Sequence, residues 1–358
     1  MPDGQIPEEA GTADGIAARA PSAPRPDGAL AGRRVEGRTL LTAAAVAVLL
    51  AALYAGLGAY WLVVFAQVFL FAVAAMGLDI LFGRAGQLSL SHASFYGLGA
   101  YVAAIGTARG VWPGAQFVAV FVVALVAGVV VAVPTLRLAG LRLALVTLLF
   151  GEVFQWFLIT EVPITGGSEG MSVPPLSVAG LSLGDPHTAF LVCLALALLA
   201  TAVTRQLGRT QAGRRMLAVR DSELAASACG IDLARIKIQA FIIASVYAAV
   251  AGWFYAFVVG FVAPDNFGLF PAAYFLVAVI LGGAGTVMGA WLGAAYIVLA
   301  PQFFNVIGHP NLFPILGGAL LVLVALFMPD GLVGGISRTP FAGIRVRLAP
   351  TSGGHHAP

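Results

Sequence analysis

The chain reads as a succession of apolar runs of membrane-crossing length, separated by short basic or glycine-rich connections. A bilayer core of about 30 Å takes roughly 20 apolar residues as helix, and fewer where a helix breaks inside protein. Hydrocarbon leaves no partner for free backbone N–H and C=O groups, so runs of this length select helices, whose hydrogen bonds are internal. The candidate spans are residues 40–57, 61–82, 88–105, 115–133, 143–159, 188–203, 238–262, 271–281, 287–300 and 313–328. The expected fold class is an all-α polytopic membrane protein with about ten transmembrane helices, some broken or short, and a helical cytoplasmic docking loop.

Composition supports the same reading, since 60% of the residues are hydrophobic and 10% charged, against roughly 25% charged in soluble domains. Cys193 lies in an apolar span and Cys229 in a basic loop, so the two cysteines build no disulfide framework. A net charge of +3, carried in short segments beside apolar runs, does not point to nucleic acid. Residues 1–39 are expected to be a disordered cytoplasmic tail and 336–358 a cytoplasmic C-terminal tail, with the transmembrane domain at 40–335 between them. His355 and His356 form too short a tract for a metal site.

Charge orients the bundle. Ten crossings with both termini inside place every Lys and Arg except Arg109 on the cytoplasmic side. Merging 271–281 and 287–300 into one helix would put the basic C-terminal tail on the opposite face, which argues for two short spans. The outer face collects Glu161, Glu169, Asp185 and Asp265, and its largest connection, 160–187, has room for a small external element.

The loop 205–237, "RQLGRTQAGRRMLAVRDSELAASACGIDLARIK", is longer than a turn between membrane helices needs. Gly208, Gly213 and Gly230 punctuate two short helical patterns, Asp221 or Ser222 can cap the second, and Asp232 can cap the span that follows. Such a loop is expected to dock a partner.

Small residues recur every four positions in the seventh span, at Ala240, Ala244, Ala248, Gly252, Ala256 and Gly260; shorter stripes are Gly285, Gly289, Gly293 and Ser89, Ala93, Gly97. They allow close backbone approach between helices, as static packing or as faces that slide during gating. Two glycine breaks, Gly83-Arg84-Ala85-Gly86 and Gly282-Gly283-Ala284-Gly285, fall at the same membrane face. Asp79 is expected to pair with Arg84 or to cap a neighbouring break.

Polar groups inside the spans are the candidates for a translocation pathway: Glu152 with Gln155 in the fifth span, and Ser89, Ser91 and His92 in the third. An ionised carboxylate in mid-membrane costs roughly 2.5–3.5 kcal/mol, so Glu152 must be paired, protonated or facing water. A buried hydrogen bond that locks two helices is the alternative for Glu152, and satisfaction by nearby serines the alternative for His92. The sole lysine, Lys237, is followed by Ile238, so a G-x-x-x-x-G-K-[ST] phosphate loop is absent; so are H-E-x-x-H and a Ser, His and Asp grouping. These absences argue against a membrane-embedded enzyme.

Five strings in order, "GLDILFGRAGQLSLSHASFYGLGAY" (77–101), "LRLAGLRLALVTLLFGEVF" (136–154), "TGGSEGM" (165–171), "GRRMLAVRDSELAASACGID" (213–232) and "VILGGAGTVMGAWLGAAY" (279–296), resemble the integral-membrane permeases of branched-chain amino acid ABC importers, specifically the LivM-type subunit. The resemblance covers roughly 40–335. It implies a bacterial inner-membrane subunit that pairs with a second, LivH-like permease, receives substrate from an external substrate-binding protein and is driven by two cytoplasmic ATPase subunits, which use ATP; this chain itself binds no cofactor. It also implies that 205–237 is the coupling segment, with Arg214, Arg215, Arg220, Glu223, Ala225, Ala226 and Gly230 facing the ATPases, and that Thr165, Gly166, Gly167 and Glu169 help seat the binding protein or close an outer gate. Leucine, isoleucine and valine are the default substrates, with urea, short amides or aromatic acids in related systems. The rival function is a self-sufficient secondary transporter or channel that uses Glu152 as its ion or proton site.

Overall fold

The computed structural model describes residues 54–308, apart from 137, 139, 179 and 180, together with Leu332. The chain divides at Gly56 into two units, and the membrane bundle is the second, Leu57–Pro358. Most of the expected first span and all of the tenth, as well as both tails, Arg137 and His355 with His356, lie outside the described residues.

Ten helices of six residues or more run through the described part: α1 Ala59–Leu78, α2 His92–Ala108, α3 Pro113–Thr135, α4 Leu141–Thr160, α5 Pro186–Arg209, α6 Gln211–Asp221, α7 Glu223–Ala228, α8 Leu233–Val259, α9 Leu269–Gly282 and α10 Val287–Val306. Seven helical stretches among the described residues are long and apolar enough to cross a membrane, so the protein is a multi-pass α-helical membrane protein. The helix α1 continues as a wider π-type turn over Asp79–Arg84. The eighth and ninth expected spans are indeed separate helices, parted by the turn that contains Gly283 and Gly285, both at positive φ.

The third span differs from its expected course. Residues 85–91 are not helical, and burial alternates along them, with Ala85, Gln87, Ser89 and Ser91 buried. His92, the first residue of α2, donates from Nε2 to the carbonyl of Ala74, which lies ten residues above Arg84 on α1. At 1.5 Å per helical residue, α2 therefore begins well inside the bundle, about half-way across. Its 17 residues then suffice to reach the face opposite Arg84.

The long helix α8 is the centre of the bundle and packs on α1, α2 and α3. Ala240, Ala244, Ala248, Gly252 and Ala256 of its small-residue stripe are all buried; Gly260 ends the helix in the left-handed region. The seam with α2 is as close as backbones allow, because a Cβ on Gly252 would strike the Tyr96 carbonyl and one on Gly99 the Ala249 carbonyl. In lipid, where apolar burial gives little drive, such backbone-to-backbone contact holds helices together. The same holds between α9 and α10, where Gly282 meets Gly289 and Gly293 meets Ala278.

After α4, a helical turn at Val162–Thr165 and a 3-10 turn at Gly167–Glu169 lead into β1, Met171–Ser172, which pairs antiparallel with β4, Phe261–Val262. A second small pair joins β2, Ser177–Val178, to β3, Leu181–Ser182. These short ladders were not legible from the hydropathy pattern. They give the connection after α4 a small folded element of its own.

Candidate functional sites

Two regions carry the polar residues singled out from the sequence: the loop between α5 and α8 with the glycine breaks it touches, and the faces of α2 and α4 within the membrane span. In that loop, Ser222 caps α7 by accepting from Ala225 N–H, and Asp232 caps α8 by accepting from Arg235 N–H, as their types and positions suggested. Thr210, not singled out beforehand, caps α6 through Gly213 N–H. Gly230 has a φ of 77°, which lets the chain turn from α7 towards α8. The helix α5 also runs further than the apolar pattern indicated, to Arg209, because Thr204–Arg209 continues the helix beyond the apolar run.

The seven residues expected to face the ATPases do not share one surface. Arg214 and Arg215 are exposed and, with Gln211 and Ile231, border an open groove of about 380 Å³. Arg220 instead turns its guanidinium back towards the bundle and donates to the carbonyl of Gly83. Glu223 is held by Lys237 at 2.8 Å, which clamps α7 to the start of α8. Ala226 is buried, whereas Ala225 and Gly230 are exposed. Leu224, 82% exposed beside them, is an apolar side chain that the sequence reading missed; a leucine within a short helix gives no local sign that it faces outwards.

Asp79 does both things its position allowed. Its Oδ1 accepts the N–H of Gly285 at 2.6 Å, and its Oδ2 lies 3.9 Å from Arg84 Nε. The two glycine breaks are therefore neighbours in space. Arg84 also donates to the carbonyl of Thr204 on α5, at 3.4 Å.

Within the membrane span, the serines and histidine of the third span are engaged inside this chain. Ser89 and Ser91 hydrogen-bond each other at 2.9 Å, and both are buried. His92 is buried on Ala74 O and packs edge-on against Phe275. Leu90 N–H donates to Thr147 of α4 at 3.0 Å, which fastens the non-helical segment to the neighbouring helix. The expectation of a polar lining inside this chain's own bundle is corrected for Glu152: it is exposed on the outer face of α4. Its companion Gln155 is half-buried, against the backbone of Gly268. The three-residue step leaves the two side chains about 60° apart, enough to carry Glu152 off the narrow strip along which α4 touches the bundle, and sequence spacing alone did not show where the strip lay.

In the connection after α4, Thr165 is buried and donates to the carbonyls of Leu158 and Glu161, so it is a knot within that segment. Gly166 and Gly167 have positive φ, which makes the tight path of this segment possible, while Glu169 is exposed.

A model of the family described as "Branched-chain amino acid transport system / permease component" matches residues 60–325. The LivM high-affinity branched-chain amino acid transport system permease protein of Salmonella typhimurium is 31% identical over 291 residues, covering 74% of this chain and 68% of the relative. The LivH permease protein of Escherichia coli is 26% identical, covering 74% of this chain and 91% of that protein. The BraD permease protein of Pseudomonas aeruginosa is 23% identical, with the same two coverages. No solved structure matches the chain.

Proposed function

Because the chain belongs to the family of permease components of branched-chain amino acid transport systems, we propose that it forms, with a second, LivH-like permease, the membrane pathway of an ATP-driven importer of branched-chain amino acids. The observation that carries this reading is the exposed position of Glu152 within a membrane-crossing helix. A carboxylate turned to lipid there would cost roughly 2.5–3.5 kcal/mol. The same face of α4 exposes Leu145, Leu149, Val153 and Trp156. A second permease covering this face, with a narrow aqueous path at Glu152, removes that cost. The carboxylate then offers a counter-charge to the ammonium of an amino acid, and the apolar side chains around it suit a branched aliphatic one. Gln155 lines the wall near Glu152, while Ser89, Ser91 and His92 hold the non-helical segment behind it.

On the inner side, Arg214, Arg215 and the exposed Leu224 dock an ATPase of the pair that drives import, around the groove at Gln211 and Ile231. Glu223, Ala225, Ala226 and Gly230 shape the short helix that bears this surface. On the outer side, Glu169 meets the substrate-binding protein, and Thr165, Gly166 and Gly167 fix the loop that presents it. Both termini lie in the cytoplasm in this arrangement. A self-sufficient carrier with Glu152 as its ion site is not favoured by the family and leaves the inner loop without a role.

Reconstitution tests the reading. The complete complex in proteoliposomes should take up leucine only with ATP and binding protein, and Glu152→Gln should lower the uptake rate roughly tenfold or more, a loss of about 1.4 kcal/mol in effective barrier. Concentration of solute by this chain alone, or unchanged uptake by the Gln variant, would overturn it.

A further inference from the structure

Two glycine breaks some two hundred residues apart converge on one carboxylate and one guanidinium. Asp79 ties the π-type turn of α1 to the turn between α9 and α10 by accepting from Gly285 N–H. Gly83 sits so close to this bond that a Cβ there would strike both Asp79 Oδ1 and Gly285 N. Arg220 approaches from the end of α6, donates to Gly83 O, and lays its stem along Gly86 and its Nη1 beside Gly285. One arginine of the inner loop thus touches both breaks.

The cluster also has an unfinished contact. Asp79 Oδ2 and Arg84 Nε are buried, 3.9 Å apart, and neither has a hydrogen-bond partner. Charged groups in that condition are costly, and a displacement of about 1 Å would bring them to bonding distance. The pair stands just short of contact, and packed elements pass between discrete arrangements rather than deforming smoothly.

We propose that Asp79, Arg84 and Arg220 form a latch through which displacement of the inner loop moves both glycine breaks as one body. Asp79 and Arg220 are then positioning residues for transport although neither touches substrate. Force entering at α6 passes sideways into α1 and the α9–α10 turn, in addition to the helices α5 and α8 that the loop joins. The latch rests on the reading of the loop as the ATPase-docking element.

The test uses the complete complex in lipid nanodiscs with Cys229→Ser, and measures spin-label distances without nucleotide and in a vanadate-trapped ATP state. One pair, Leu217→Cys with Val118→Cys, reports movement of α6 against α3; the other, Leu217→Cys with Met288→Cys, reports movement of α6 against the α9–α10 turn. The first distance should change and the second should hold to within about 1 Å. Adding Arg220→Ala should make the second distance change too and lower substrate moved per ATP hydrolysed roughly tenfold, with Arg220→Lys restoring most of that ratio because an ammonium can still donate to Gly83. A second distance that changes equally with Arg220 present overturns the latch and leaves the docking reading standing. A first distance that does not change overturns the docking reading and the latch with it.

Discussion

Gly252 and Gly99 show how much one missing methyl group decides in this molecule. Each faces a carbonyl of the opposing helix too closely to admit a Cβ, so the α2–α8 seam depends on hydrogen at both positions. Gly252→Ala should force the two backbones apart and destabilise the bundle by about 1–3 kcal/mol, the usual range for overpacking. The expected outcome is a lowered thermal midpoint of the detergent-purified complex. An alanine at exposed Gly230 meets no neighbour but must adopt its φ of 77°, so it strains the backbone without separating helices. At this scale the sequence was informative wherever a residue type has a local duty. Ser222, Asp232 and Asp79 each cap a chain segment as their position implied, because a cap is chosen by its nearest neighbours. Arg220 and Glu223 were recognised as members of a charged loop, yet their partners Gly83 and Lys237 come from contacts that no local pattern encodes.

Among the elements, the ion pair between Glu223 and Lys237 gives the inner loop its shape. Lys237 is nearly buried, so its ammonium leans on a carboxylate that is itself half-exposed. Glu223→Gln should loosen α7 from α8 and reduce transport, while the double variant Glu223→Gln, Lys237→Gln should recover part of the lost stability. A double-mutant cycle on thermal unfolding is expected to show coupling on the order of 1 kcal/mol; strictly additive effects would mean that the clamp contributes nothing. The break before α2 belongs to the same scale. Hydropathy marked 88–105 as one uniform span, because Leu88 and Leu90 look helical in a window average. The structure gives residues 85–91 to a non-helical segment, held by Gln87 on the carbonyl of Lys237 and by Leu90 on Thr147. Those long-range bonds, absent from any periodicity, decide the outcome.

For the whole molecule, the native cysteines offer a direct test of orientation. Cys229 is exposed in the loop between α5 and α8 and Cys193 is buried in α5. A membrane-impermeant maleimide should label Cys229 in inside-out vesicles and spare it in intact cells; labelling from outside would invert the arrangement and detach the loop from any cytoplasmic engine. The family and membrane class were evident in the order of motifs and in the spacing of apolar runs, whereas the outward turn of Glu152 was not, since a single chain's sequence does not say which helix faces a companion.

The seam between α9 and α10 bears on how the protein is made. With 14 residues, α9 extends about 21 Å, short of the roughly 30 Å of a bilayer core. Its backbone is already pressed against α10 at Gly282 and Gly293. During synthesis the ribosome and translocon would accordingly release these two segments into lipid as a preformed hairpin, the second rod steadying a first that needs the 3-10 turn at Pro264–Phe267 to reach across.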